Sequence, residues 1–442
     1  MLKTVKFGGS SLADAEHFNI VKNIVSADAG RKVVIVSAPG KRKKNDNKIT
    51  DLLYLCYAHV KYGVDYENIM NMIKARYASI IDEAGIDFDI DAAFDKIKAE
   101  LAGGADEDYL VSRGEALCAE IMAKYLDFDF VDAINCVFFK YDGSIDIPKT
   151  YSAISMKFHA SRGNIVIPGF YGSMPDGKLA LMSRGGSDIT GALAAAAIGA
   201  DMYENWTDVP GILMADPSIV PDPYPIPRIT YNELRELTYM GAKVLHEASV
   251  FPVRQARIPL NIRDTNNPEH PGTLINEEFC EEELDDKFFV TGIAGRKGYG
   301  IIEIRQENAA QKIGEMRKVL KIFEKQGTSI EHILSGVDSF SLIVPLGDIK
   351  KHLYGMVSEI EEICGQGSVR ITEGISLIAC VSRNMVFRPG VSGQIFAALG
   401  ENNINIRMIS QGAEEINIII GVEDKDYNES IRILYNSFTK RS

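Results

Sequence analysis

The sequence predicts an α/β protein: a sandwich with a mainly parallel central sheet, followed by two ferredoxin-like α+β units. Three observations carry this. Strand and helix patterns alternate over roughly the first 290 residues, the mark of parallel strands joined by helical crossovers. Lys32–Ser37 is a continuous β-branched run, as a strand covered on both faces requires. The last third holds an internal repeat, in which Val319–Val344 aligns without gaps on Ile395–Ile420. Ile330 falls on Ile406, Ile333 on Ile409, and Gly336 on Gly412.

The elements follow in order. Thr4, Val5 and Phe7 suit a first strand, which Gly8-Gly9-Ser10-Ser11 ends; Ser10 and Ser11 are candidate caps for a helix starting near Asp14. Ser37-Ala38-Pro39-Gly40 closes the second strand in a loop that returns through Lys48-Ile49-Thr50-Asp51 to a helix. From Asp65 to Asp127 the pattern is helical, broken at Gly85 and Gly103-Gly104. Strands are expected at Phe130–Ala133, Asn164–Pro168, Lys178–Leu181, Met202–Trp206 and Leu260–Ile262, with helices at Ser187–Gly199, Tyr231–Leu237 and Ala242–Val250. The acidic stretch Glu277–Asp286 reads as a linker. Beyond it each repeat reads strand, helix, strand, strand, helix. The second runs out after a helix near Asn428–Phe438, so its missing edge strand is sought upstream, at Phe289–Ala294, with the first repeat inserted within the second. The expected boundaries are 1–287 for the sandwich, 299–373 for the first unit, and 288–298 with 374–442 for the second.

Composition bounds the function. A hydrophobic share of 46% and a charged share of 25% are those of a globular protein. No apolar run reaches the length of about eighteen residues that a membrane span needs, and the charged start is unlike a signal peptide. Cys56, Cys118, Cys136, Cys280, Cys364 and Cys380 are scattered, which suits a reducing cytoplasm and not structural zinc. The net charge of −13 disfavours nucleic acid and makes isolated cations beside glycines notable. The densest basic run, Lys41-Arg42-Lys43-Lys44, reads as a solvated loop.

Several stretches bear chemistry. Gly8 and Gly9 let the backbone approach an anion, with Lys6 at the strand's end. Glu115, in Ser112-Arg113-Gly114-Glu115, either serves chemistry or improves a helix terminus. Ser183-Arg184-Gly185-Gly186-Ser187-Asp188 repeats the glycine-serine turn before a helix; Arg184 can clamp a carboxylate, and Asp188 either caps the helix or holds lysines toward a phosphate. Trp206-Thr207-Asp208-Val209-Pro210-Gly211 ends a strand where open α/β sheets bind ligands. Lys243, in Gly241-Ala242-Lys243-Val244-Leu245-His246, is a cation at a helix start, and His246 reads as packed or capping. Two lysines, an arginine, two Gly-rich turns and two carboxylates without a nucleophile–base pair fit phosphoryl transfer.

These stretches resemble the aspartate kinases, in the family's order over nearly the whole chain. Arg388-Pro389-Gly390-Val391, Asn403-Ile404-Asn405-Ile406 and Ile409-Ser410-Gln411-Gly412 share the resemblance. It implies an amino-acid-kinase sandwich followed by two effector-sensing ACT domains, and ATP-dependent phosphorylation of the side-chain carboxylate of L-aspartate at the head of lysine, threonine and methionine biosynthesis. Carried over by residue, Lys6, Gly8, Gly9, Ser10 and Lys243 would face the phosphates, Asp188 would orient the lysines, and Thr207 and Asp208 would hold adenosine. Ser37, Thr50, Glu115, Phe170, Arg184 and Ser187 would line the aspartate pocket, Glu115 on the α-ammonium and Arg184 on the α-carboxylate. Magnesium would arrive with ATP, held mainly by phosphates. Leu213 and Ser218 stand where many relatives carry a tyrosine and an arginine on the nucleotide, so adenine stacking and one phosphate contact are not carried over. No homoserine dehydrogenase module follows Ser442, so the expectation is a monofunctional enzyme. The alternatives are an amino-acid sensor with a decayed kinase domain, disfavoured by intact Lys6, Glu115, Arg184 and Asp188, or a kinase for another acidic amino acid. ACT units pair through open sheet edges, which implies a homodimer or a dimer of dimers. In the first unit, Gly314 would open a helix toward an effector's carboxylate, near Ser329 and Glu331. Glu331 favours a cationic effector, lysine, although it also reads as a solvated edge charge.

Overall fold

A computed structural model describes residues 1–183, 185–242, 245, 247–279, 288–306 and 314–439. The contacts divide the chain into two compact units. The first comprises the described residues of Met1–Ile212, Pro225–Tyr231 and Val244–Leu284; the second those of Leu213–Tyr224, Asn232–Lys243 and Asp285–Ser442.

The first unit runs β1 (Lys3–Phe7), α1 (Ala15–Ser26), β2 (Arg31–Val36), α2 (Ile49–Lys61), α3 (Glu67–Ala84), α4 (Ile90–Ala102), α5 (Glu107–Leu126), β3 (Asp129–Phe130), α6 (Ile147–Ala160), β4 (Ile165–Pro168), β5 (Tyr171–Ser173), β6 (Leu179–Leu181), α7 (Gly186–Ala197), β7 (Met202–Thr207) and β8 (Arg228–Thr230). After α8 (Tyr231–Tyr239) it resumes with α9 (Glu247–Gln255), β9 (Leu260–Asp264) and β10 (Thr273–Asn276). Eight strands form one sheet in the order β3-β4-β2-β1-β7-β9-β10-β8. Every pair from β3 to β9 is parallel; β10 pairs antiparallel with β9 and parallel with β8, so these last two strands run opposite to the rest. The β-branched run explains the sandwich: Val34 and Val36 face one core, with Phe7, Phe18 and Tyr77, while Val33 and Ile35 face the other, with Phe158, Ile167 and Leu193. Each such fully buried side chain contributes about 1.5–3 kcal/mol.

The second unit includes α8 and then β11 (Gly292–Arg305), α10 (Glu315–Lys325), β12 (His332–Ser335), β13 (Ser339–Pro345), α11 (Leu346–Ile349), α12 (Leu353–Cys364), β14 (Val369–Val381), α13 (Val391–Glu401), β15 (Met408–Gln411), β16 (Asn417–Glu423) and α14 (Tyr427–Thr439). Six antiparallel strands lie in the order β12-β13-β11-β14-β16-β15. The two long central strands are shared. Tyr299–Arg305 pairs with β13, while Gly292–Arg296 pairs with Leu377–Val381, which in turn pairs with β16. One ferredoxin-like half is therefore inserted within the other, and the upstream strand completes the second. Helix α8 packs with this unit: Arg383 donates to Glu233 from Nη1 and its backbone N–H at 2.9 Å each, Asn417 Nδ2 donates to Glu236 at 2.5 Å, and the Tyr239 hydroxyl donates to the Glu331 carboxylate.

Some local expectations are corrected. Ser10 and Ser11 lie within a 3-10 turn, Gly9–Leu12, and do not cap α1; Asp14 does, accepting from the His17 N–H at 3.1 Å. Strand β3 ends at Phe130, because Asp132 accepts from the Ile134 N–H and turns Ala133–Asn135 into a 3-10 segment. Helix α5 starts at Glu107, capped by Asp106, so Glu115 is in its interior and not at a terminus. Helix α9 begins at Glu247, later than the expected Ala242. The linker expected at Glu277–Asp286 falls largely outside the described residues.

Candidate active site

Because β4, β2, β1, β7 and β9 are parallel and adjacent, their carboxyl ends share one edge. The sheet's order reverses there: the chain leaves β1 for β2 on one side and later places β7 on the other, the position where open α/β sheets bind ligands. The turn after β1 is drawn close to the loop after β2. Gly40 donates its N–H to the Gly9 oxygen at 2.7 Å; a Cβ on Gly40 would stand 2.6 Å from the Gly9 carbonyl carbon and one on Gly9 2.8 Å from the Ala38 oxygen, so neither of these two positions tolerates a side chain.

Lys6 is the next to last residue of β1, only 8% exposed in a strand covered on both faces. A buried ammonium needs a partner. Asp188, in the first turn of α7, supplies it: Nζ lies 2.6 Å from Oδ1. Asn205 is Lys6's register partner on β7 and ties the pair together, donating to Asp188 Oδ1 at 2.9 Å and accepting from Lys6 at 3.4 Å. The Tyr203 hydroxyl donates to the Asp188 backbone oxygen at 3.1 Å, fixing the helix end over β7. Lys6 is thus held at Gly8, where an added Cβ would meet Nζ at 3.4 Å. Of the two readings of Asp188, holding the lysine is the one observed; the N-cap is Gly185.

Glu115 projects from the buried face of α5, where Leu53 and Ala38 pack so closely on Gly114 that an added Cβ would stand 2.9 and 3.0 Å from them. The Ala38 N–H donates to Oε1 at 3.2 Å, while Oε2 is buried without a hydrogen-bond partner among the described residues. Burial pushes the carboxyl up to about 7, against the pull of the Ala38 N–H and the Arg113 charge. An orphaned oxygen of this kind is a site for a cation or donor. It lies in a cleft of about 500 Å³ that brings together the expected Gly9, Ser10, Ser37, Thr50, Glu115 and Asp208, along with Ala38, Pro39, Gly40, Lys41 and Lys48.

Other expected residues lie around the same edge. Phe170 follows β4 with φ 78°, a left-handed conformation costing a bulky residue about 1–2 kcal/mol. Its backbone oxygen accepts from the Met182 N–H at 2.7 Å, and Gly186 packs on its Cα. Ser187 packs on Gly169, after β4. Thr207 ends β7 and donates to the exposed Asp208 at 3.2 Å. Arg184, Lys243 and His246 lie outside the described residues. Leu213 and Ser218 belong to the second unit; Ser218 donates from its N–H and hydroxyl to Asp216. There too Gly314 caps α10 with φ 103°, Ser329 is exposed, and Glu331 precedes β12 with its carboxylate taken by Tyr239. Sequence reasoning missed Asn205, Lys41 and Lys48. Asn205 had a partial signal, a polar residue inside a predicted strand, although its place opposite Lys6 comes only from the register; Lys41 belonged to the basic run that reads as a solvated loop, and Lys48 had no signal until the loop was folded.

The comparisons agree with this geometry. Residues 1–264 match the amino acid kinase family, and residues 378–438 match an ACT domain. Aspartokinase 3 of Bacillus subtilis is 33% identical over 452 positions, 99% of this chain and 98% of its own. Lysine-sensitive aspartokinase 3 of Escherichia coli is 28% identical, with 98% of each chain covered. The crystal structure of Clostridium acetobutylicum aspartate kinase superposes with a TM-score of 0.88 at 45% identity, covering 99% of each chain. Escherichia coli aspartokinase III in complex with aspartate and ADP superposes with a TM-score of 0.73 at 25% identity, covering 100% of each. With a parallel sheet, a lysine held at a double-glycine turn and shared ACT strands, the chain belongs to the amino acid kinase family and, within it, to the aspartokinases.

Proposed function

We propose that the cleft transfers the γ-phosphoryl group of ATP to the side-chain carboxylate of L-aspartate, giving 4-phospho-L-aspartate and ADP. The observation that carries it is Lys6, fixed by Asp188 and Asn205 at the sheet edge that also bears the orphaned Glu115 oxygen. A β-carboxylate is already ionised at neutral pH, so its oxygen attacks phosphorus without a general base, and the bond from the γ-phosphorus to the β-bridging oxygen breaks with its electrons on ADP. Catalysis then rests on placement and charge. Lys6, and Lys243 from the nucleotide side, neutralise the transferring group; Asp188 orients them. Gly9 and Ser10 offer backbone N–H groups to phosphate, while Gly8, whose own N–H donates to the Trp206 oxygen, lets the chain approach the transferring group beside Lys6; Thr207 and Asp208 hold adenosine. Glu115 takes the α-ammonium and Arg184 the α-carboxylate, with Ser37, Thr50, Phe170 and Ser187 closing the pocket. Magnesium comes on the nucleotide's phosphate oxygens, hard donors that suit it.

Residues 1–287 are assigned to catalysis, and 299–373 and 288–298 with 374–442 to two ACT units. Strands β12 and β15 are the sheet's outer strands, through which copies pair into a dimer or a dimer of dimers. Lysine is the assigned effector, at Gly314, Ser329 and Glu331, in keeping with the name of the lysine-sensitive Escherichia coli relative. A coupled assay for ADP tests the reaction. Turnover should depend on aspartate and not glutamate, and Lys6→Met should lower kcat by about two to four orders of magnitude with the fold intact. Near-normal turnover in that variant removes Lys6 from the chemistry.

A further inference from the structure

The basic run Lys41–Lys44 has no role in the mechanism above, yet the fold sorts its members. Arg76 on α3 is 6% exposed and donates Nη1 to the Gly40 oxygen at 3.0 Å and Nη2 to Asp46 Oδ2 at 2.7 Å. Arg42 donates its backbone N–H and Nε to the same Asp46 oxygen, at 3.1 and 3.0 Å. Hydrogen bonds from Arg42, with the charge of Arg76, hold the Asp46 carboxyl well below the usual range. With Gly40 also bonded to Gly9, the loop is pinned at both ends and is preorganised. Arg42 is spent inside this knot. Lys41 and Lys48, which flank it, are exposed, have no ion pair among the described residues, and line the cleft beside Gly9, Ser10, Glu115 and Asp208.

Charge decides what they face. Lys6, paired with Asp188, is not among the residues that line this cleft; among the described lining residues Glu115 and Asp208 are the acids and Lys41 and Lys48 the only bases. The Glu115 oxygen, buried and unpartnered, is matched to a cation; the two lysines are matched to the opposite charge. An ammonium is a compact point charge suited to phosphate oxygens, whereas a planar carboxylate is better gripped by an arginine fork. We propose that Lys41 and Lys48 bind the polyphosphate chain of the nucleotide, and that Arg76 and Asp46 are positioning residues that hold the two lysines over the Gly9–Gly40 contact. The inference rests on the kinase reading of the cleft.

The test is calorimetric titration of ATP into the full-length protein, between about 0.05 and 0.3 M salt. The double variant Lys41→Gln, Lys48→Gln should bind ATP about ten-fold more weakly at low salt, with the gap closing as salt rises. Its KM for aspartate and its Tm should match the parent. Asp46→Asn should shift ATP affinity in the same direction by a smaller factor, with aspartate KM again unmoved. Unchanged ATP affinity, a salt-independent gap, or a change in aspartate KM alone overturns the inference. Parent protein that binds ATP yet releases no ADP with aspartate overturns the kinase reading instead, while the titration still decides the lysines.

Discussion

Glu115 offers a quantitative test, because its burial affects folding and binding with opposite signs. It is 4% exposed, and burial raises its carboxyl from an ordinary 4.5 to about 7. A carboxyl whose pKa is raised on folding contributes fully below the unfolded value and loses that contribution as pH climbs through the folded one. Across that interval, at about 1.36 kcal/mol per pH unit, the ionised group costs the empty fold about 3 kcal/mol by pH 8 and under about 1 kcal/mol at pH 5. Glu115→Gln cannot ionise. Whatever fixed penalty its amide carries, its stability relative to the parent should therefore rise by about 2–3 kcal/mol between pH 5 and pH 8. Urea denaturation at several pH values reads this directly. The same change should raise the aspartate KM by about ten- to a hundred-fold, since a hydrogen bond to a charged group is worth about 1.5–3 kcal/mol. In the parent, kcat/KM for aspartate should rise with pH through about 7, as the carboxylate forms. A stability difference that does not vary with pH would refute the burial argument, and an unchanged aspartate KM would take Glu115 out of the pocket.

Three further outcomes are expected. Asn205→Leu removes the tie between Lys6 and Asp188 while keeping the side-chain volume, and should lower kcat by about ten-fold with both KM values little changed; a change in KM alone would assign Asn205 to substrate binding. Arg184→Lys keeps the charge but loses the two-pronged grip, so the KM for aspartate should rise well above any change for ATP, and the reverse pattern reassigns it to the nucleotide. Glu331→Gln should weaken inhibition by lysine and leave uninhibited turnover intact; inhibition by threonine alone, or unaltered lysine sensitivity, counts against the assignment.

Where neighbouring residues decide an element, the chain could be read without its fold. The β-branched run at Lys32–Ser37, the breaks at Gly85 and Gly103, and the glycine turns after β1 and before α7 are local preferences, and the structure places them as read. The repeat also disclosed that the second ferredoxin-like half needed an upstream strand, because an unfinished sheet edge must be paired. Tertiary structure alone decided which charges meet. Ser10 and Ser11 looked like caps, yet Asp14, closer to the helix, took that role. Glu115 looked near-terminal from its Ser-Arg-Gly neighbours, although the break at Gly103-Gly104 already set the helix start earlier; α5 begins at Glu107, eight residues before it. Asn205 meets Lys6 only through the parallel register of β1 with β7, strands separated by most of the first unit. Arg42 and Lys41 are adjacent in sequence and have the same charge, but Arg76, brought from α3, draws Asp46 to Arg42 and leaves Lys41 facing the cleft. Hydrophobic period and turn chemistry act over a few residues and survive in the sequence; the pairing of buried charges depends on long-range register, which only the folded chain supplies.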